Sequence, residues 1–149
     1  MVITKELVLK IKAKNRDDVF KQISETLFTN DLISKKGIKN LVKGFKAREA
    51  QFSTGMGGGL AIPHSKCKDA KEPKLVLARL EEPVEWGETL DGAPVDTALA
   101  IIVPEDGRED HFEILVNLSK SFMDENTINI VKTADDNTVV DLLNKIAKQ

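Results

Sequence analysis

The chain of 149 residues contains two histidines, and the first stands where an anion could be held. His64 follows a glycine-rich segment and Pro63, and Ser65 and Lys66 come directly after it. A glycine-rich loop lets the backbone approach a ligand closely and directs several N–H groups at an anion. His64 is therefore a candidate nucleophile for a phosphoryl group. The competing interpretation is a histidine at a strand end that has no chemical role.

The second histidine lies in the first turn of a predicted helix. We expect Asp110 to be the N-cap of this helix, and His111 to continue the apolar face formed by Leu115, Leu118 and Phe122. The free N–H groups and the positive dipole end of a helix N-terminus suit an incoming phosphate. A surface histidine near a helix cap is the alternative.

Arg48 and Glu49 close another predicted helix, and Cys67 follows His64 by three residues. An arginine at a helix end could clamp a phosphate with two hydrogen bonds, although a solvated surface arginine is the more common case. His64 and Cys67 could share a metal, but zinc sites usually need three or four protein ligands. We therefore predict no metal. We also expect no cofactor, and an isolated cysteine such as Cys67 is more often buried or inert than a catalytic nucleophile.

The elements that must position these residues follow from hydrophobic periodicity. Helical spacing predicts one helix that begins after the N-cap Asn15 and runs to about Asn30, and a second that begins after Ser34 and ends near Glu49. Further helices should begin at Asp110, Asn126 and Asn137. Short apolar runs predict strands over residues 7–11, 60–62, 75–80 and 99–103, and the last should be buried on both faces. We expect an α/β fold with a mixed sheet flanked by helices.

Composition and charge argue against several classes of protein. The net charge of −2 gives no support to nucleic-acid binding, and no segment approaches the length of a membrane span or a signal peptide. A single cysteine rules out an internal disulfide and suits a reducing compartment. The absence of any Pro/Ser-rich linker predicts one domain over residues 1–149. We expect a cytoplasmic protein without direct membrane insertion.

Short motifs lie on both sides of the glycine-rich segment: Arg48-Glu49 and Ser53-Thr54 precede it, and Ala61-Ile62-Pro63-His64 follows it. Together they resemble the enzyme IIA domain of the bacterial phosphoenolpyruvate-dependent sugar phosphotransferase system, in its fructose/mannitol-type family, which carries an Arg-Glu pair, a Ser-Thr pair with glycines, and Ala-Ile-Pro-His. Later segments, including His111 with its Leu-rich helix, continue the resemblance over essentially the whole chain. Phe112 departs from the pattern, because leucine is usual in the family at that position.

The resemblance implies a phosphoryl carrier. Such a domain accepts a phosphoryl group on a histidine from the small histidine phosphocarrier protein and passes it to a cysteine of the IIB component, which serves the membrane-embedded IIC permease. The acceptor corresponds to His64, and the second histidine and the phosphate-contacting arginine correspond to His111 and Arg48. Phosphate-contacting or supporting roles then fall on Glu49, Ser53, Thr54, Gly58 and Gly59. Phe112 is a candidate for an apolar rim that receives the partner.

Two other functions remain open. One is a regulatory, nitrogen-type member of the same family, in which the phosphorylation state controls partner proteins. That branch usually lacks the second histidine, so His111 favours the sugar class. The other is a non-catalytic module in which the glycine loop binds an anion and His64 has no role. The sequence does not identify the sugar.

Overall fold

One six-stranded mixed sheet forms the centre of the computed structural model, which describes residues 1–107 and 109–148. The longest strands pair antiparallel at its middle, and the others pair on either side. The strands are β1 (Val8–Ile11), β2 (Gly55–Gly57), β3 (Leu60–Ala61), β4 (His64–Cys67), β5 (Lys74–Val84) and β6 (Val95–Pro104). The order is β1-β5-β6-β3-β2, and β4 also pairs with β6. The predicted mixed sheet is confirmed.

Five α-helices flank this sheet in the described part of the chain, which confirms the predicted α/β class. They are α1 (Arg16–Thr29), α2 (Lys35–Gln51), α3 (Glu109–Ser121), α4 (Glu125–Thr133) and α5 (Asp136–Ala147). The predicted caps of α1 and α2 are confirmed, because Asn15 Oδ1 accepts a hydrogen bond from the Asp18 amide at 2.8 Å and Ser34 Oγ accepts one from the Gly37 amide at 3.3 Å. Both bonds satisfy N–H groups that the helix leaves unpaired.

The predicted starts of the later helices are wrong by one or two residues. Asp110 is the second residue of α3 and not its N-cap, and its side chain lies outside the described part of the structure. The caps of α4 and α5 are Asp124 and Asp135, each two residues before the predicted asparagine. In both places an Asp precedes the Asn, and the two residue types have nearly equal N-cap preference.

The core lies around β5 and β6, and the expectation that β6 is buried on both faces is confirmed. Every residue of β6 is buried except Asp96, which is half-buried. An aromatic cluster ties α1 and α2 to this core: the ring of Phe20 stacks on Phe45 at 5.1 Å between centroids and meets Trp86 edge-on at 5.5 Å. Both geometries are favoured by the ring quadrupoles.

Two short strands, β2 and β4, differ from what the sequence predicts. Residues 55–57, predicted as loop, form β2, and the left-handed φ angles that only glycine tolerates well begin at Gly57, with values of 86°, 63° and 82° for Gly57, Gly58 and Gly59. The strand β4 was not predicted, because its sequence His-Ser-Lys-Cys has no apolar alternation. It forms because β3 and β4 lie end to end along one edge of β6, with Leu60 opposite Thr97 and His64 opposite Ile101.

Gly44 sets how closely α2 approaches β4. A Cβ atom built on Gly44 would overlap Ser65 Oγ and lie 3.3 Å from Ser65 Cβ. Ser65 Oγ is itself held, because it donates a hydrogen bond to the Lys66 carbonyl at 3.0 Å. The glycine that weakens the helix is therefore the residue that brings α2 against the strand of His64.

We predict that Gly44→Ala destabilises the protein by about 1 kcal/mol, although alanine is the better helix former. Overpacking costs about 1–3 kcal/mol, and the gain in helix propensity offsets about 1 kcal/mol of it. Urea unfolding of the single variant and of Gly44→Ala/Ser65→Ala measures the effect. Removal of the Ser65 hydroxyl should restore most of the loss; a Gly44→Ala protein that is more stable than the native one would contradict this packing.

Candidate functional site

A cleft of about 510 Å³ lies between α2, the edge strand β4, β6 and α3. Three predicted site residues from three elements line it together: Arg48 from α2, His64 from β4 and His111 from α3. The other lining residues are Gly44, Ala47, Gln51, Ser65, Lys66, Ile101, Val103, Phe112 and Leu115. The structure therefore brings together the residues that the sequence separates by up to 63 positions.

Two hydrogen bonds set the tautomer of His64. Its Nδ1 lies 3.2 Å from the Ile62 carbonyl oxygen, and its Nε2 lies 3.0 Å from Arg48 Nε. The carbonyl can only accept and the guanidinium can only donate, so Nδ1 carries the proton and Nε2 presents its lone pair. Nε2 is therefore the nitrogen able to act as a nucleophile.

The environment of His64 also favours the neutral ring. Burial in the cleft lowers the pKa of His64 below its ordinary value, and the charge of Arg48 lowers it further. The hydrogen bond to the Ile62 carbonyl and the charge of Glu49 act in the opposite direction but do not cancel the shift. At neutral pH the imidazole is uncharged, which a nucleophilic nitrogen requires.

Arg48 is held at the end of α2 and still has donors to offer. Its Nη1 donates to the Phe52 carbonyl at 2.6 Å, while its Nε donates to His64. A guanidinium carries five N–H groups, and these two bonds use two of them. The remaining N–H groups, next to Nε2 of the imidazole, could bind the oxygens of an anion.

Glu49 is buried and holds the polypeptide below the cleft. One carboxylate oxygen accepts from the Thr54 amide at 3.0 Å, and the other accepts from Trp86 Nε1 at 3.1 Å and from the Thr54 hydroxyl. The Thr54 carbonyl in turn accepts from the Ile62 amide at 3.0 Å, and Ile62 carries the carbonyl that orients His64. Glu49 and Thr54 thus support the site and do not line it.

Ser53 also has a local partner. Its hydroxyl accepts a hydrogen bond from the Gly55 amide at 3.1 Å, which shapes the turn into β2. Ser53 is not among the residues that line the cleft.

The structure does not bring Gly58 and Gly59 to the cleft. Their distance from His64 follows from where each segment bonds to β6. The Gly59 carbonyl accepts a hydrogen bond from the Asp96 amide, whereas the Pro63 carbonyl, next to His64, accepts one from the Ile101 amide, five residues further along the strand. At about 3.3 Å per residue this separation is about 16 Å. A loop amide at this turn cannot reach an anion on the imidazole, so the interpretation of Gly58 and Gly59 as phosphate-contacting residues is corrected.

The glycine turn has other partners that explain its composition. The Gly58 amide donates to the Asp91 carboxylate at 2.8 Å, and its carbonyl accepts from Lys132 Nζ. A Cβ on Gly59 would lie 2.8 Å from an Asp96 carboxylate oxygen and 2.9 Å from Lys132 Nζ. The glycines are needed for backbone conformation and close packing, a signal that sequence alone does not separate from anion binding.

At the opposite wall, α3 contributes His111 and an apolar rim. His111 is half-buried in the first turn, and the fully buried face of the helix continues through Ile114, Leu118 and Phe122, so Leu115, predicted for this face, is only half-buried. Phe112 is 42% exposed, and its ring centre lies 5.8 Å from Lys66 Nζ, within the range of a cation–π contact. Phe112 is a rim residue and not part of the core.

Cys67 lies on β4 but does not join the site. Its buried thiol donates to Asp69 Oδ1 at 3.2 Å, and burial, followed by the hydrogen bond to Asp69, raises the pKa of Cys67 to about 11. Such a thiol is unreactive at neutral pH. Among the side chains that the structure describes, those of residues 1–107 and 111–148, no three from His, Cys, Asp or Glu are grouped so as to hold a metal ion. No helix in the described part of the chain has the length and apolarity to cross a membrane.

Comparison with known proteins identifies relatives over nearly the whole chain. The family model described as "Phosphoenolpyruvate-dependent sugar phosphotransferase system, EIIA 2" matches residues 1–146. A PTS system fructose-like EIIA component of Escherichia coli is 28% identical, with 92% of this chain and 90% of that protein aligned. A nitrogen regulatory protein of Pseudomonas aeruginosa is 39% identical over about half of each chain, 52% of this one and 49% of the other.

A solved structure has the same fold. The nitrogen regulatory protein IIA-Ntr from Neisseria meningitidis superposes with a TM-score of 0.82 over 95% of this chain and 96% of its own, at 24% identity.

We predict that Arg48→Ala raises the pKa of His64, because the substitution removes a positive charge and admits water. Arg48→Lys should raise it less, and Lys46→Ala, which alters an exposed lysine outside the cleft, should leave it unchanged. A ¹H–¹⁵N NMR titration of the imidazole measures the pKa and shows the tautomer. Since the folded pKa lies below the unfolded value, this group makes stability rise with pH between the two. An unchanged pKa in Arg48→Ala would contradict the geometry.

We predict that Glu49→Ala lowers the free energy of unfolding by about 3 kcal/mol, because it leaves the Thr54 amide buried without an acceptor and leaves the Trp86 indole N–H with only the Thr54 hydroxyl, 3.3 Å away. Glu49→Gln should cost about 1 kcal/mol, since the amide oxygen still serves one donor. Trp86 is the only tryptophan, so its fluorescence during urea unfolding monitors this contact directly. Glu25→Ala, on the exposed face of α1, is the control and should have no measurable effect.

Proposed function

The chain belongs to the phosphoenolpyruvate-dependent sugar phosphotransferase system EIIA 2 family, and we propose that it carries a phosphoryl group on Nε2 of His64. The observation that supports this most directly is the pair of bonds on the imidazole. Nδ1–H is held by the Ile62 carbonyl, so the lone pair is on Nε2, which lies at Arg48 in the cleft. A neutral, oriented imidazole beside a cation is what a phosphoryl acceptor requires.

The transfer needs no metal in this proposal. The donor is a phosphohistidine of the small histidine phosphocarrier protein. The lone pair of His64 Nε2 attacks phosphorus in line with the breaking P–N bond, and the donor imidazole leaves with that electron pair. The product is positively charged on the His64 ring, so the Ile62 carbonyl, which accepts from Nδ1–H, stabilises it. Arg48 Nε releases Nε2 as the new bond forms and can bind the phosphoryl oxygens together with the unused guanidinium N–H groups.

The onward acceptor is the cysteine of a IIB component, whose thiolate attacks the same phosphorus and returns the electron pair to Nε2. Both partners must therefore approach one opening. Three exposed apolar side chains favour such encounters: Phe52, Phe112 and Val116 are 77%, 42% and 50% exposed. Phe52 follows α2 and carries the carbonyl bound by Arg48, while Phe112 and Val116 lie on α3. A partner that packs on both helices would exclude water from the phosphorus.

We assign His111 the role of contacting the phosphoryl group from the opposite wall. It lines the same cleft as His64 and Arg48, and it lies in the first turn of α3. Its presence is the feature that favours sugar transport over regulation.

The regulatory function remains the second candidate, because one relative is a nitrogen regulatory protein at 39% identity over half of the chain. In that case the phosphoryl group on His64 would control the partners that the protein binds. The third possibility, an anion-binding module based on the glycine turn, is disfavoured because the Gly58 amide already bonds to the Asp91 carboxylate.

We predict that incubation with phosphoenolpyruvate, enzyme I and the phosphocarrier protein adds one acid-labile phosphoryl group, measured by intact mass. His64→Ala should abolish the addition. Arg48→Ala should slow it about 100-fold, since it removes a donor to the charge that develops in transfer. His111→Ala should still be phosphorylated, more slowly. Lys46→Ala is the matched control for loss of a positive charge on α2 and should behave as the native protein does.

Two results would overturn parts of this proposal. Phosphorylation of His64→Ala would move the acceptor elsewhere, and no phosphorylation of any protein would favour a binding module. Addition of a IIB component from the same source then separates the two carrier functions. Loss of the phosphoryl group to a IIB cysteine supports sugar transport, whereas retention in the presence of every such component supports the regulatory function.

A further inference from the structure

Helix α2 has an unusual charge for a protein with a net charge of −2. Its 17 residues include six cationic side chains and one acid, Glu49, which is buried. The cations are Lys35, Lys36, Lys39, Lys43, Lys46 and Arg48. Only the last of these lines the phosphoryl cleft. The lysines therefore need an explanation that the proposed carrier function does not supply.

These lysines reduce the stability of the helix that carries them. Lys35 and Lys36 lie in the first turn, where the helix dipole disfavours positive charge. Lys35, Lys39 and Lys43 are spaced by four, and like charges at that spacing repel by about 0.2–0.5 kcal/mol per pair. In the described structure only Lys46 among them forms an ion pair, with Asp17 at 3.5 Å. Residues that break a local rule without a folding benefit are typical of functional surfaces.

Three of the α2 lysines, Lys39, Lys43 and Lys46, border a groove with an apolar floor. A cavity of about 640 Å³ lies between α1 and α2, and Ile38 and Val42, both half-buried, form its base. Around this base stand five lysines and two aspartates: Lys14, Lys21, Lys39, Lys43, Lys46, Asp17 and Asp18. We call it the α1–α2 groove. Five lysines against two aspartates give this border an excess of positive charge, and an apolar stripe with such a border is complementary to an amphipathic segment with acidic flanks.

The α1–α2 groove is separate from the phosphoryl cleft. At 100° per residue, the α2 residues in the groove are centred about 160° around the helix axis from those in the cleft, which are Gly44, Ala47, Arg48 and Gln51. A molecule in the groove would leave the opening at His64 free. The same helix would then contact one molecule on each flank.

We propose that the α1–α2 groove docks an acidic amphipathic helix of a partner protein while His64 exchanges its phosphoryl group on the other flank. A helix fits because the two apolar residues of the base, Ile38 and Val42, are four residues apart on α2, a spacing that can receive apolar anchors at i and i+4 of a second helix. A membrane surface or nucleic acid fits less well. Asp17 and Asp18 line the same groove and would repel a continuous anionic surface, whereas an acidic helix can place a basic residue there.

The test uses the full ¹⁵N-labelled protein and a synthetic helical peptide of about 18 residues, with leucine at i, i+4 and i+7 and glutamate beside that stripe. A second peptide has the same composition in an order without an apolar face, and a third has lysine in place of glutamate. We expect the largest amide shifts at Ile38, Lys39, Val42 and Lys43. The first peptide should bind about tenfold more tightly than the second, and the third should not bind.

Substitutions test the lysine border and the apolar floor of the groove separately. Lys39→Gln/Lys43→Gln should weaken the first peptide about tenfold, and Val42→Thr, which keeps the shape but adds a hydroxyl, should weaken it severalfold. Lys10→Gln/Lys145→Gln removes the same charge from exposed positions on β1 and α5 and should change binding less than about twofold. Urea unfolding of each variant shows that the fold is retained. His64 should be phosphorylated at the native rate in Lys39→Gln/Lys43→Gln.

Several results would overturn the proposal. Equal affinity for the first two peptides would show that the groove attracts acidic peptides only by non-specific charge. Amide shifts spread over the whole chain would lead to the same conclusion. Tighter competition by phosphatidylserine vesicles or by duplex DNA would assign the groove to a membrane or a nucleic acid. A dimer in sedimentation that Lys39→Gln/Lys43→Gln dissociates would assign it to a second copy of the chain. Because peptide binding is measured without phosphorylation, failure of the carrier function would leave this test intact.

Discussion

The buried carboxylate of Glu49 is the interaction on which the geometry of the site depends. It receives the Thr54 amide and hydroxyl and the Trp86 indole N–H, and thereby joins the last turn of α2 to the segment that leads into β2. A buried charge is costly unless every lone pair is used, so this point of the chain has little freedom to shift. Arg48 precedes Glu49, and its guanidinium is placed by the same turn. The hydrogen bonds of Glu49, which lie outside the cleft, therefore determine where the Arg48 guanidinium stands relative to His64.

The two bonds on His64 have opposite effects on its charge, and this balance suits a carrier. The Ile62 carbonyl favours the protonated ring, while burial and Arg48 favour the neutral ring. A group that held the imidazolium strongly would block attack, and one that rejected it strongly would make the phosphorylated ring, which is also cationic, too unstable to form. A carrier must accept and release the same group with small changes in free energy. With one carbonyl acceptor at Nδ1 and one arginine at Nε2, the neutral imidazole and the phosphorylated, cationic ring can be close in free energy.

Local sequence signals predicted the helices that carry the site but not the contacts that assemble it. The N-caps Asn15 and Ser34 and the buried strand β6 depend on short-range pattern, and the structure confirms them. The strand β4 depends on backbone pairing with β6, which the polar residues His64 to Lys66 do not reveal. Gly58 was misinterpreted for a related reason: a glycine chosen for left-handed φ and one chosen to bind an anion look alike until the Asp91 carboxylate is seen on its amide. Family resemblance joined Arg48, His64 and His111, whereas spacing alone did not.

Helix α2 explains why these requirements coexist in one element. Its buried face packs Leu41 and Phe45 into the core, and its flank at Gly44 lies close against β4, so its position is set by packing and not by its charges. A helix anchored in this way can carry lysines that repel each other and oppose its dipole, because tertiary burial outweighs a few tenths of a kcal/mol per pair. The residues on the exposed side of α2 therefore need not contribute to the stability of the fold. A rigid helix with Arg48 on one flank and a lysine-bordered apolar groove on the other holds two surfaces at a constant distance, so a partner held in the groove would stand in a defined position relative to the phosphoryl group on His64.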